Sequence, residues 1–265
     1  MPVQTEWIHY GDQTGYLARP ERAAGPLPGV LVVQEIWGVD PHIEDVTRRL
    51  AEAGYAALAP DLFAQDGARP APLAQARIAE AQGFLNGLPA TAWRDAELRG
   101  AALAVRPEAE RTRIGETIGA LFGSLGQMDR SVPPLRAALR HLRSEGQPVV
   151  CVGFCMGGGL SALLACEEPE LAGAAIFYGS APPLDRVPRI QCPVAGFYGG
   201  LDERVNAGLP DFAEAMRAAG KTFDYQVYPG AAHAFFNDTR PTYHVGATRD
   251  AFARLLEFFR RAVAT

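Results

Sequence analysis

Nowhere does the chain carry the ~18 consecutive apolar residues of a membrane-spanning helix. Its opening, MPVQTEWIHYGD, lacks the basic start and apolar stretch of a secretion signal. No membrane partner is expected, and the cytoplasm is the expected compartment. Lysine and arginine are scattered, and with a formal net charge of -5 nothing electrostatic calls for a nucleic-acid partner. The four cysteines, Cys151, Cys155, Cys166 and Cys192, make no CxxC pair and hold no zinc-finger spacing with histidines. Neither a metal site nor a disulfide framework is therefore expected, and the thiols should be reduced. Internal repeats and low-complexity tracts are also missing.

What is present is an ordinary globular composition, 48% hydrophobic and 21% charged over 265 residues, enough for one sizeable core. A single domain over 1–265 is expected, with a monomer as the default. Val3 to His9 and Gly15 to Arg19 read as a hairpin around YGDQT. Val30 to Val33, YAALAP, PVVCVGF, AGAAIFYG and PVAGFYG are continuous apolar runs suited to strands covered on both faces. Helical patterns fall between them: Pro41 to Ala53, Leu135 to Leu142, GGLSALLACEE, Leu209 to Ala219 and Ala247 to Val263, with a further strand in TFDYQVYPG. Strand and helix alternate, which implies a mostly parallel sheet with helices on both faces and a ligand site beyond the carboxyl ends of the strands. The segment from about 64 to 130 holds Ala-rich helical stretches broken by Gly and Pro and no strand, and is expected to be an excursion that caps the site.

The stretch GFCMGG sets Cys155 between Gly153 and Gly157, at the end of an apolar strand and the start of a helix. This is the nucleophile-elbow pattern of α/β-hydrolases with cysteine in place of serine. The turn needs small neighbours, and it sets the sulfur at a helix N-terminus that favours thiolate. The Met156 N–H is then a ready oxyanion donor. A free cysteine often merely packs, but packing alone does not require a glycine on each side. In such folds an acid and then a histidine follow the nucleophile, each in a loop after a strand. Asp202 in GFYGGLDERV and His233 in YPGAAHAFFND occupy those slots. Glu203 is an alternative acid, and His244 could line the pocket. His9, His42 and His141 read as surface or structural, and Ser180 lacks the flanking glycines of a rival nucleophile.

GFCMGG, YGGLDERV and YPGAAHAFFND, together with QEIWGVDPHIEDVTRRLAEAGYAALAPDLF, resemble the dienelactone hydrolase family of α/β-hydrolases, over most of the chain outside roughly 64 to 130. The resemblance implies the triad Cys155, Asp202 and His233. It further implies that Glu35 contacts the thiol and helps govern its ionisation, and that the Ile36 N–H completes the oxyanion hole with that of Met156. A charge at Glu35, on the end of a buried strand, is otherwise hard to explain, although it could cap a loop or meet an arginine. Trp37 would wall the pocket. Family members that open dienelactone carry a carboxylate-binding arginine four residues after the histidine, where this sequence has Asn237. Arg240 lies nearby, and Arg77 and Arg94 are further candidates. Trp37, Asn237 and Arg240 are therefore the candidate substrate contacts.

The expected reaction is cleavage of a small ester or lactone through a thioester on Cys155, with His233 activating the hydrolytic water and no cofactor. Thiolate leaves a tetrahedral intermediate readily, so enol lactones and activated esters are favoured over amides. Two alternatives remain at this point. The same triad could serve a thioesterase or acyltransferase, though no basic cluster awaits a carrier tail, or Cys155 could be a redox-responsive thiol in a binding protein.

Overall fold

The computed structural model describes residues 2–23, 25–93 and 95–264. Its centre is an eight-stranded sheet in the order β1-β2-β4-β3-β5-β6-β7-β8. The strands are β1 Val3–Tyr10, β2 Gln13–Pro20, β3 Gly29–Val33, β4 Ala56–Pro60, β5 Val149–Phe154, β6 Gly173–Phe177, β7 Val194–Gly199 and β8 Phe223–Tyr228. β1 and β2 pair antiparallel, as the expected hairpin, and β2 also pairs antiparallel with β4. All later pairings are parallel. Every residue of β3, β4, β5, β6 and β7 is buried, as continuous apolar runs demand when both faces are covered.

Nine helices surround the sheet among the described residues: α1 Pro41–Glu52, α2 Gln75–Asn86, α3 Ala96–Ala104, α4 Glu108–Leu125, α5 Val132–Arg143, α6 Met156–Glu167, α7 Glu203–Asn206, α8 Leu209–Ala218 and α9 Val245–Ala262. This is the expected α/β-hydrolase arrangement. One apolar core lies under α5, α6 and α8, and the other under α1 and α9. A third, smaller core belongs to the 64–130 excursion, where Ile78, Phe84, Leu85, Ile114, Ile118 and Leu121 of α2 and α4 close around Ile36, Trp37 and Phe63. None of the described helices is long and apolar enough to cross a membrane.

Candidate active site

The elbow forms because strand and helix meet with no room for side chains. A Cβ on Gly153 would lie 1.8 Å from Gly157 O, and one on Gly157 would lie 2.3 Å from Val33 O. Between them Cys155 takes φ 54°, a strained value for a non-glycine residue, and its N–H donates to Phe177 O at 3.0 Å. The half-buried thiol thus stands at the first turn of α6, above the middle of the sheet.

Asp202 follows β7, is buried, and caps α7 by accepting the Val205 N–H. His233 sits in the loop after β8, and its Nδ1 donates to Asp202 Oδ2 at 2.5 Å. The Cys155 side chain acts on the same ring. The structure therefore gathers the three expected triad residues around the imidazole. Desolvation alone would lower the imidazole pKa, but the charge of Cys155 and the bond to Asp202 override it and raise His233 to about 10. Asp202 moves the opposite way: burial pushes its carboxyl up, yet the His233 bond and charge hold it below the usual range.

Both candidate oxyanion donors follow neighbouring strands: Val33 pairs with Gly153, Ile36 and Met156 come three residues after each, and the close approach of Gly157 to Val33 and Gln34 presses the two segments together. Residues 35–38 close a tight turn through Gly38 N–H to Glu35 O at 3.2 Å, which leaves the Ile36 N–H out of the turn's own bond. Met156 opens α6, before the helical ladder engages its N–H.

Glu35 is 3% exposed. Among the described residues it neither caps a loop nor meets an arginine: Oε1 accepts from the Tyr178 hydroxyl at 3.1 Å and Oε2 from Asn237 Nδ2 at 2.9 Å. Burial first, and then the charges of Glu35 and Cys155, keep the Tyr178 hydroxyl protonated and so a donor. Tyr178 also sets its ring edge-on to His233, 5.2 Å between centres. Sequence reasoning passed over Tyr178. Its signal was its position, one residue past β6 at the same end of the sheet as Cys155.

Two of the three candidate substrate contacts do something else. Asn237 is fully buried and serves Glu35, and its Oδ1 accepts from Thr239 N–H and hydroxyl. Trp37 is buried against the excursion, its indole 5.4 Å from that of Trp93. Arg240 is partly exposed beside both indoles. Arg77 is tied to Arg113 O and Glu116 on α4, and Arg94 lies outside the described residues. His244 has a structural part: its Nδ1 accepts the Ala247 N–H as the N-cap of α9. Glu203 is exposed and takes no part. His42 is structural, buried between Phe154 and Phe236.

Comparison with known proteins agrees with this frame. A provisionally named carboxymethylenebutenolidase of Saccharolobus solfataricus is 34% identical over 248 residues, covering 93% of this chain and 93% of its own length. One from Escherichia coli strain K12 is 32% identical over 259 residues, or 93% of this chain and 81% of that protein. A crystal structure described as a dienelactone hydrolase of Klebsiella pneumoniae superposes with a TM-score of 0.72 at 27% identity, over 98% of this chain and 99% of the other. The profile of the dienelactone hydrolase family matches residues 14–263. On that match the chain belongs to the dienelactone hydrolase family, a group of ester and lactone hydrolases.

Proposed function

We propose that the protein hydrolyses carboxymethylenebutenolide-like lactones and activated esters through a Cys155–His233–Asp202 triad and a thioester intermediate. The observation that carries this reading is the Asp202–His233 hydrogen bond at the same end of the sheet as a cysteine held at positive φ on a helix N-terminus, whose charge acts on that imidazole. Cys155 thiolate attacks the carbonyl carbon, and the electron pair displaced onto oxygen is held by the N–H groups of Ile36 and Met156. The intermediate collapses as the His233 imidazolium gives its proton to the leaving oxygen, which in a lactone stays tethered to the acyl chain. Neutral His233 then takes a proton from water, hydroxide attacks the thioester, and thiolate departs beside the renewed imidazolium. Asp202 keeps the ring in the tautomer and orientation that both steps use.

Glu35 is assigned the part of tuning the ionisation of the thiol. With a donor on each oxygen it is poorly suited to take the thiol proton, which leaves that duty to His233.

The test is turnover of a panel of aryl esters and enol lactones by wild type and Cys155→Ala, with mass spectrometry of the trapped wild-type adduct. Loss of at least ~10⁴-fold in the variant, and an acyl mass on the peptide containing Cys155, are expected. Equal turnover in both proteins would sink the reading, and amide turnover matching that of esters would remove the preference for good leaving groups.

A further inference from the structure

The excursion, here called the cap, touches the catalytic frame at three places. Ile36 and Trp37 pack into the cap's own core. Ser124, near the end of α4, donates its hydroxyl to Leu121 O at 2.6 Å and rests its oxygen 3.7 Å from Met156 Sδ. The third contact is Arg240. Its guanidinium carbon lies 5.5 Å from the ring centre of Trp37 and 5.4 Å from that of Trp93, in the notch where the two indoles meet at 77°. Its Nη1 donates to Asn86 Oδ1 at 2.9 Å, and its backbone N–H donates to Asn237 O at 3.1 Å. One residue thus joins the loop that follows His233, the turn that carries Ile36, the end of α2 and the Ala90–Trp93 turn.

The way Arg240 is held is also telling. No carboxylate lies within ion-pair distance of it among the described residues, whereas Arg69, Arg77 and Arg113 each have one. Two aromatic faces and a neutral amide oxygen engage its planar fork instead, a setting in which a lysine is no substitute.

We propose that Arg240 is a positioning residue for the hydrolysis: it clamps the cap onto the Ile36–Trp37 turn and so keeps the Ile36 N–H aimed at the oxyanion. The inference rests on the hydrolytic reading above. Arg240 reaches Ile36 across a single peptide bond from Trp37. Cys155 is held separately by the glycine-packed elbow, and His233 by Asp202. Loosening Arg240 therefore leaves a competent nucleophile and lets one oxyanion donor drift, and displacements well under an ångström at such a donor are costly in rate.

The test compares two reactions of Cys155 in wild type, Arg240→Met, Arg240→Lys and Asn86→Ala. One is hydrolysis of p-nitrophenyl acetate, an uncharged ester whose acylation and deacylation both pass through an oxyanion. The other is alkylation by iodoacetamide, in which thiolate displaces iodide from a saturated carbon and no oxyanion forms. Cys151, Cys166 and Cys192 are buried and do not compete. In Arg240→Met, kcat is expected to fall about tenfold with KM little changed, because the lost interaction exists only in the transition state. Alkylation is expected to keep its rate and pH profile, Arg240→Lys to fail to restore kcat, and Asn86→Ala to move kcat the same way by less. Parallel loss of turnover and alkylation would overturn the proposal in favour of general disruption of the site. An unchanged kcat with KM raised only for esters bearing a carboxylate would overturn it in favour of direct substrate binding. Wild type without Cys155-dependent turnover would overturn the hydrolytic reading itself, an outcome visible before any Arg240 variant is made.

Discussion

Burying a carboxylate such as Glu35 without a cation costs several kcal/mol unless its oxygens are met by donors, and Tyr178 and Asn237 meet both. Asn237→Ala leaves Oε2 without its partner, so a loss of about 1–3 kcal/mol is expected in urea unfolding. Asn237→Asp should be worse at neutral pH, because it sets a second buried carboxylate against the first. That loss is expected to recover on acidification, since the crowded pair holds a proton that the unfolded chain releases. His233 offers a second test at this scale. Its pKa of about 10 depends on the Cys155 thiolate, so in Cys155→Ala the imidazole should titrate well below 10 by NMR. The linked stability follows the raised pKa: it is fully present below the ordinary value of 6.5 and is lost as pH rises through about 10.

At the scale of elements, α1 begins on Asp40, whose Oδ1 accepts the Ile43 N–H at 3.0 Å. Burial, and then the nearby charge of Glu35, raise the Asp40 carboxyl to about 6 despite that bond. A raised carboxyl makes the fold less stable as pH climbs from about 4 to 6, because the native state holds a proton that the unfolded state has released. Asparagine caps as well as aspartate does and carries no charge. Asp40→Asn is therefore expected to add on the order of 2 kcal/mol at pH 7.5 and little at pH 4, read from melting curves. Gly153→Ala should fail to fold, since its methyl would occupy Gly157 O. These elements were legible because continuous apolar runs with turn residues between them admit few alternatives, and because GFCMGG combines three local requirements in six residues. α7 escaped notice because four residues carry no period. Asn237 was misplaced because a residue's partner 202 positions away leaves no local mark.

For the molecule as a whole, the cap is the part that sequence described least. Alanine and glycine spread around α2, α3 and α4 blur any apolar stripe, and the residues that complete their core, Ile36 and Trp37, come from the end of β3. That shared core ties cap to sheet. Leu121→Ala, at a fully buried cap position, is expected to cost about 2–5 kcal/mol and to shift one calorimetric transition as a unit. Two separate transitions would mean that the cap unfolds independently of the sheet.

The order of the site residues along the chain has a consequence for biosynthesis. Glu35 and Cys155 leave the ribosome well before Asp202 and His233. The loop that carries His233 is tied down by the start of α9, where the Thr248 hydroxyl and His244 N–H both donate to Phe235 O. A nascent chain that has emerged as far as α6 already bears its thiol but has no base to activate it. Chemical competence arrives only once the loop after β8 and the start of α9 have both been made, so a polypeptide that stops short of them carries little risk of acylating itself on passing metabolites.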